Sequence, residues 1–163
     1  GGGALLIREV TRLAGRGLRA KIRTGGTVAT AFPPPSAVIA FMAAALRARV
    51  PFKATAGLHH AIRGSYRLTY QPDSGEAIMY GYLNVLLAAA TLRAGQSPEV
   101  AERVLAESDP ASLTFDNDVI RWRELAWPAS SLTELRLEGL TGFGSCSIRE
   151  PAEEIRALSR RAR

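Results

Sequence analysis

Leu5, Leu6, Val10, Leu13 and Ala14 recur at helical spacing ahead of Gly15 and Gly17, which predicts a first helix and its end. Residues 18–23 read as a short strand running into Thr24-Gly25-Gly26. After Pro33-Pro34-Pro35, Ser36 is placed to cap a helix over residues 37–48, whose face of Val38, Ile39, Met42 and Leu46 is apolar. Residues 50–55 form the second strand. Residues 66–70 alternate, Gln71-Pro72-Asp73-Ser74-Gly75 supplies a turn, and residues 77–80 return, so a hairpin follows that strand. Residues 81–94 predict an apolar helix stopped by Gly95. Ser97-Pro98-Glu99 opens another that runs to Glu107. A second hairpin spans residues 113–122 and turns at residues 116–118. Ser131-Leu132-Thr133-Glu134 has the form of a capping box for a short helix ended by Gly139. Residues 142–147 predict the third strand, and residues 152–158 the last helix.

Three short strands, separated by helices and each followed by glycine or small polar residues, predict an α/β fold with parallel core strands. The order matches the later part of a (β/α)8, or TIM-barrel-like, fold, whose full form takes ~250 residues. The chain has 163 residues. The expectation is therefore one domain over residues 1–163, with about three parallel core strands, flanking helices and two small hairpins, forming the C-terminal part of a larger barrel. A small open α/β sandwich is the alternative. The opening Gly1-Gly2-Gly3 adds to the expectation of a fragment.

Composition narrows the functional classes. Hydrophobic residues are 47% and charged residues 22%, a globular balance. The longest apolar runs, residues 37–46 and 85–92, are about half of the ~20 residues that span a bilayer, and no signal-peptide pattern opens the chain. No membrane is expected as a partner. One cysteine excludes an internal disulfide framework and points to a reducing compartment, with cytoplasmic localisation the default. The net charge is +6 and the pI about 10.2, yet the basic residues are scattered among glutamates rather than gathered. No nucleic-acid partner is expected.

Candidate chemistry gathers at the strand ends. Lys21-x-Arg23-x-Gly25 and Lys53-x-Thr55-x-Gly57 form a weak internal repeat containing the only two lysines. Residues two apart on a strand share a face, so Lys21 and Arg23 point one way, as do Lys53 and Thr55. Inside a covered parallel sheet a lysine is costly unless it is used, which makes Lys53 and Lys21 candidate amines for a Schiff base or an electrostatic role. His59 and His60, the only histidines, are candidate proton carriers. Thr24, Gly25 and Gly26 offer backbone N–H groups for an anion beside Arg23. Ser145 and Ser147 share one strand face and offer hydroxyls. Asn84, in the first turn of an apolar helix, either faces the site or caps the helix. Adjacent histidines project apart and no carboxylate or cysteine lies close in sequence, so no metal and no cofactor are expected.

With Lys21-x-Arg23-Thr24-Gly25-Gly26, Pro51-Phe52-Lys53-Ala54-Thr55-Ala56-Gly57-Leu58-His59-His60 and Gly144-Ser145-Cys146-Ser147 in view, the chain resembles a family of bacterial proteins with no assigned activity. The likeness covers residues 18–158. That family continues His-Gly-Phe-Leu-Asn-Val where this chain has Tyr80-Gly81-Tyr82-Leu83-Asn84-Val85, so a histidine role there does not carry over. Lys53-Ala54-Thr55-Ala56-Gly57 is also similar to the Lys-Thr-Ser-Thr-Gly strand of deoxyribose-phosphate aldolases, (β/α)8 enzymes whose strand lysine forms a Schiff base. Two lysines and both histidines at strand ends predict an enzyme acting on a small carbonyl or phosphorylated metabolite, and the aldolase likeness implies a strand lysine as catalyst. A non-catalytic anion- or metabolite-binding domain and a structural fragment are the competing expectations. The expected partners are a small anionic or carbonyl-containing metabolite and either an oligomer or the missing N-terminal half of the barrel.

Overall fold

A computed structural model describes residues 8–161. Strands β1 (Ala20–Arg23), β2 (Phe52–Thr55) and β8 (Leu140–Phe143) form a three-stranded parallel sheet in the order β1-β2-β8. Helix α1 (Pro35–Arg47) makes the crossover between β1 and β2. Most of the remaining elements lie between β2 and β8. They comprise the hairpin β3 (Gly64–Arg67) and β4 (Glu76–Met79), helices α2 (Tyr82–Arg93) and α3 (Pro98–Ala106), the meander β5 (Leu113–Asp116), β6 (Val119–Trp122) and β7 (Leu125–Pro128), and α4 (Ala129–Glu138). Helix α5 (Arg149–Arg161) follows β8. The α/β class is as expected, but the described residues close no barrel.

Alternation along the strands sets the two faces of the sheet. Ala20, Phe52, Ala54 and Leu140 are buried toward the helices, and Phe52 meets Phe41 of α1 edge-to-face at 5.6 Å. Truncating a buried phenylalanine of this kind costs about 3–5 kcal/mol. On the opposite face Lys21 and Lys53 are Cα partners in register and both are exposed. The internal repeat thus becomes a real pairing, with Arg23 beside Thr55.

Several local expectations are corrected. The third strand begins directly after Gly139, two residues earlier than expected, so residues 144–147 are a loop and Ser145 and Ser147 share no strand face. Ser36 lies inside α1, which starts at Pro35 with Pro34 as its N-cap. The Ser131–Glu134 box does not form because α4 starts earlier, at Ala129. The second hairpin gains a third strand, β7, through the tight Arg123-Glu124 turn, where Arg123 takes φ +52°. The expected first helix falls partly outside the described residues, which show helix over 8–11. Residues 29–47 reach the length and mean hydropathy, 1.5, of a bilayer span. However, Phe32-Pro33-Pro34 separate a 3-10 turn from α1, whose Val38, Ile39, Phe41 and Met42 are buried in the core.

Candidate functional site

The loops that leave β1, β2 and β8 meet at the carboxyl end of the sheet, where ligands of open α/β sheets sit. Thr24 fixes the first two together. Its Oγ1 donates to the carbonyl of Ala56 at 2.8 Å, and its backbone N–H donates to Thr55 at 2.8 Å. A Cβ on Gly25 would stand 2.5 Å from the Phe32 ring and 3.0 Å from the Cα of Gly57, so the two glycines of the repeat are needed for backbone-to-backbone contact. Gly57 takes φ +76° beside Ala56 at φ +67°, a left-handed pair that turns the chain sharply toward the histidines. Gly144 N–H donates to Ala54 at 2.9 Å and ties the third loop to β2.

These loops, the β3–β4 hairpin and the start of α5 enclose a cavity of about 790 Å³, within the size range of small-molecule sites. Arg23, Gly26, His59, His60 and Ser145 line it, as do Tyr66, Arg67, Tyr70, Cys146 and Glu150. A second hollow, about 820 Å³, lies at the other end of the sheet among Arg47, Arg49 and Arg93 at helix C-termini. Arg93 is paired there with Glu134 and Glu138, and no histidine, serine or cysteine lines that hollow. The candidate chemical groups therefore gather at the first cavity.

The two histidines are held in different ways. His60 Nδ1 lies 2.7 Å from Glu154 Oε1, and its ring stacks on Tyr66 with centroids 3.5 Å apart. The other oxygen of Glu154 accepts the Ala61 N–H at 2.6 Å. The carbonyls of His60 and Ala61 in turn accept N–H groups from the first turn of α2, namely Tyr82 at 2.9 Å and Leu83 at 3.1 Å. These are amides that a helix start otherwise leaves unpaired. His59 Nδ1 is approached by Ser145 Oγ at 3.3 Å and by the Cys146 N–H at 3.4 Å.

Tautomers follow from these partners. Burial works against the Glu154 carboxylate, but the hydrogen bonds from His60 and Ala61 outweigh it and hold the group below its ordinary 4.5. An ionised carboxylate only accepts, so His60 carries its proton on Nδ1 and leaves Nε2 basic. A backbone N–H only donates, so His59 Nδ1 is the acceptor and its proton sits on Nε2. Neither Nε2 has a hydrogen-bond partner among the described residues. All buried side-chain nitrogens there are paired, so both Nε2 atoms are open to the cavity or solvent. Burial, then the neighbouring His60, lowers the His59 pKa below 6.5, against an opposing pull from Glu150.

Both shifts point the same way for stability. A histidine with a depressed folded pKa contributes stability above 6.5 that is lost as pH falls through its folded value, and Glu154 repeats the pattern below 4.5. Thermal melts from pH 7 to 4 are expected to fall in two stages, and His59→Asn to remove the upper one. An unchanged upper stage in that variant would refute the assignment.

The other expected site residues lie elsewhere. Lys21 and Lys53 stand on the open face of the sheet and do not line the cavity. Thr24 and Gly25 are buried in the loop contact beneath it, and Thr55 Oγ1 donates to Ile22 at 3.1 Å. Ser147 Oγ accepts the Glu150 N–H at 3.3 Å in the first turn of α5. Asn84 neither faces the cavity nor caps α2. It is buried, accepting from Arg63 N–H and donating to the carbonyls of Val104 and Glu107. Tyr80 is buried with its hydroxyl on the Pro33 carbonyl, and burial pushes its pKa up to about 12. Sequence pattern alone does not single out Glu154, Tyr66 or Arg67. Glu150 and Glu154, four apart on one helix just after the third strand, are the available signal. No group of three His, Cys, Asp or Glu side chains among the described residues is arranged to hold a metal ion. No protein-family model, curated protein or solved structure matches the chain.

Proposed function

We propose that the protein is an acid–base enzyme acting on a small anionic metabolite that carries a carbonyl group. His60 Nε2 takes a proton from the carbon next to that carbonyl, and Glu154 stabilises the imidazolium that forms. His59 Nε2–H donates to the oxygen where negative charge develops. Arg23 and Arg67, both lining the cavity, hold a phosphate or carboxylate of the same molecule. The observation that carries this reading is the opposite hydrogen bonding of two adjacent histidines beside a single cavity, with Nδ1 of His60 against a carboxylate and Nδ1 of His59 against a backbone N–H.

The test works without an identified substrate. A panel of 2-oxo acids and phosphorylated aldoses and ketoses is incubated in D2O, and loss of α-proton signals is followed by proton NMR. Exchange is expected for at least one structural class. It should fall by about 10²–10⁴ in His60→Asn, which keeps a donor toward Glu154 but lacks Nε2. No exchange across the panel, or exchange that survives in His60→Asn, rejects the proposal.

A lysine-based reading also has a specific support, since Lys21 and Lys53 sit side by side on the uncovered face. Parallel sheets are ordinarily covered on both faces. Further strands of a TIM-barrel-like arrangement, from this or another polypeptide, would enclose both amines. Borohydride trapping with the same carbonyl panel distinguishes the two chemistries. The acid–base reading expects no adduct on Lys53 or Lys21, and a reduced adduct on either restores the Schiff-base mechanism. A monodisperse monomer that melts cooperatively would speak against the larger barrel. The single exposed Cys146 suits a reducing, cytoplasmic setting.

A further inference from the structure

We propose that Ser145 is a nucleophile activated by His59, able to accept an acyl group from a small ester bound in the same cavity. This chemistry uses the opposite nitrogen of His59 from the proton transfer proposed above and has no need of His60. A serine hydroxyl attacks only when a base lies within hydrogen-bond reach. His59 Nδ1 lies 3.3 Å from Ser145 Oγ, and the Cys146 N–H fixes that nitrogen as the unprotonated one. Because Nδ1 can only accept, the hydroxyl hydrogen of Ser145 is directed at the base. Ser145 Oγ in turn accepts the Ser147 N–H at 3.3 Å, which holds the oxygen in place.

The residue also stands at a strand-to-helix turn, between β8 and the 13-residue helix α5, and lines the cavity. The loop is held to the start of that helix, since the Ser147 hydroxyl accepts the Glu150 N–H at 3.3 Å, and a helix start favours negative charge that develops near it. Arg23, which lines the same cavity, suits an ester whose acid part keeps a second, free carboxylate.

The atoms balance as follows. Oγ bonds to the acyl carbon, its proton passes to His59 Nδ1, and the alcohol oxygen leaves with that proton. Water then attacks the acyl carbon and gives a proton to Nδ1. The bond to Oγ breaks, and the same proton returns to Oγ as the acid is released.

A fluorophosphonate probe tests this directly. It bonds to an activated serine oxygen, expels fluoride, and is located by peptide mass spectrometry. Labelling is expected on Ser145 in the unmodified chain, to be absent in Ser145→Ala, and to fall at least ~10²-fold in His59→Asn. The asparagine oxygen can still accept from Cys146 and Ser145, so that variant keeps the loop while losing the base, and a thermal melt checks that it does. The labelling rate should also drop on acidification with a midpoint below 6.5, since burial and His60 outweigh Glu150 at His59; Tyr70, which donates to Glu150, lines the same cavity. No label on Ser145, an equal rate in His59→Asn, or a rate that stays level through that pH range overturns the proposal. α-Proton exchange in D2O is scored separately, so failure here leaves the acid–base reading standing, and the reverse.

Discussion

Glu154→Gln is expected to abolish proton transfer almost completely, by a factor of about 10²–10⁴, while leaving the shape of the cavity intact. The reason lies in the second oxygen of Glu154. The Ala61 N–H approaches Oε2 at 2.6 Å and must meet an acceptor, so the amide oxygen of a glutamine turns toward Ala61. The amide NH2 is then left facing His60 Nδ1, which can pair with it only as an acceptor. The proton of His60 moves to Nε2, and the base becomes a second donor. Two donors beside one cavity cannot remove a proton from carbon. Long-range proton–nitrogen NMR of the two rings reads this without any substrate, showing opposed tautomers in the unmodified chain and like tautomers in Glu154→Gln. Opposed tautomers that persist in the variant, or like tautomers in the unmodified chain, would remove the basis of the mechanism. Glu154→Gln is also expected to lose the stability that Glu154 contributes above pH 4.5.

Much of this arrangement can be read from local pattern, and the remainder cannot for identifiable reasons. The repeat of Lys21-x-Arg23-x-Gly25 in Lys53-x-Thr55-x-Gly57 locates two parallel strands and the point where they end, because glycine is required where the two loops touch. His59 and His60 follow from their place after such a strand. The third strand is displaced from its expected position because Leu140-Thr141, directly after the end of a helix, lacks the polar punctuation that ends the other two elements. Pattern alone then gives the serines of residues 144–147 a strand face, where the chain has a loop. Barrel closure rests on element order, which constrains handedness and neighbour pairing but says nothing about how many strands are present. Glu154 is beyond reach for a different reason. It meets His60 across 94 residues of sequence, a contact that exists only once β2 and β8 are adjacent. Lysines at mid-strand suggest a covered interior, whereas one face of the sheet is open among the described residues and both lysines are exposed.

Asn84→Ala is expected to produce the largest loss of stability of any single truncation near the site, about 3–5 kcal/mol, with a fall in melting temperature on the order of 10 °C. Among the described residues only Thr24 and Thr91 are polar and as deeply buried, and the Asn84 amide serves three backbone groups at once. Its Oδ1 accepts from Arg63 N–H at 2.8 Å, and its Nδ2 donates to Val104 at 3.0 Å and Glu107 at 2.8 Å. Truncation leaves the Glu107 carbonyl and the Arg63 N–H without partners and the Val104 carbonyl with only the Glu107 N–H at 3.4 Å; each orphaned group costs about 1–3 kcal/mol where water does not enter. The position also depends on Gly81, where a Cβ would strike Asn84 Oδ1 and the Ala61 carbonyl. The bracket ties the end of α3 to the segment just after His60, so its loss should loosen the histidines as well as the helix. Asn84→Asp separates the hydrogen bonds from packing. An ionised carboxylate keeps the bond from Arg63 but sets its other oxygen against two carbonyl oxygens, whereas a protonated one can donate to either. Asn84→Asp is therefore expected to recover stability as pH falls, opposite in sign to the unmodified chain, whose His59 and Glu154 both lose stability on acidification. A loss under about 1 kcal/mol in Asn84→Ala, or an Asn84→Asp melt that follows pH in the same direction as the unmodified chain, would show that the three hydrogen bonds do not hold this corner together.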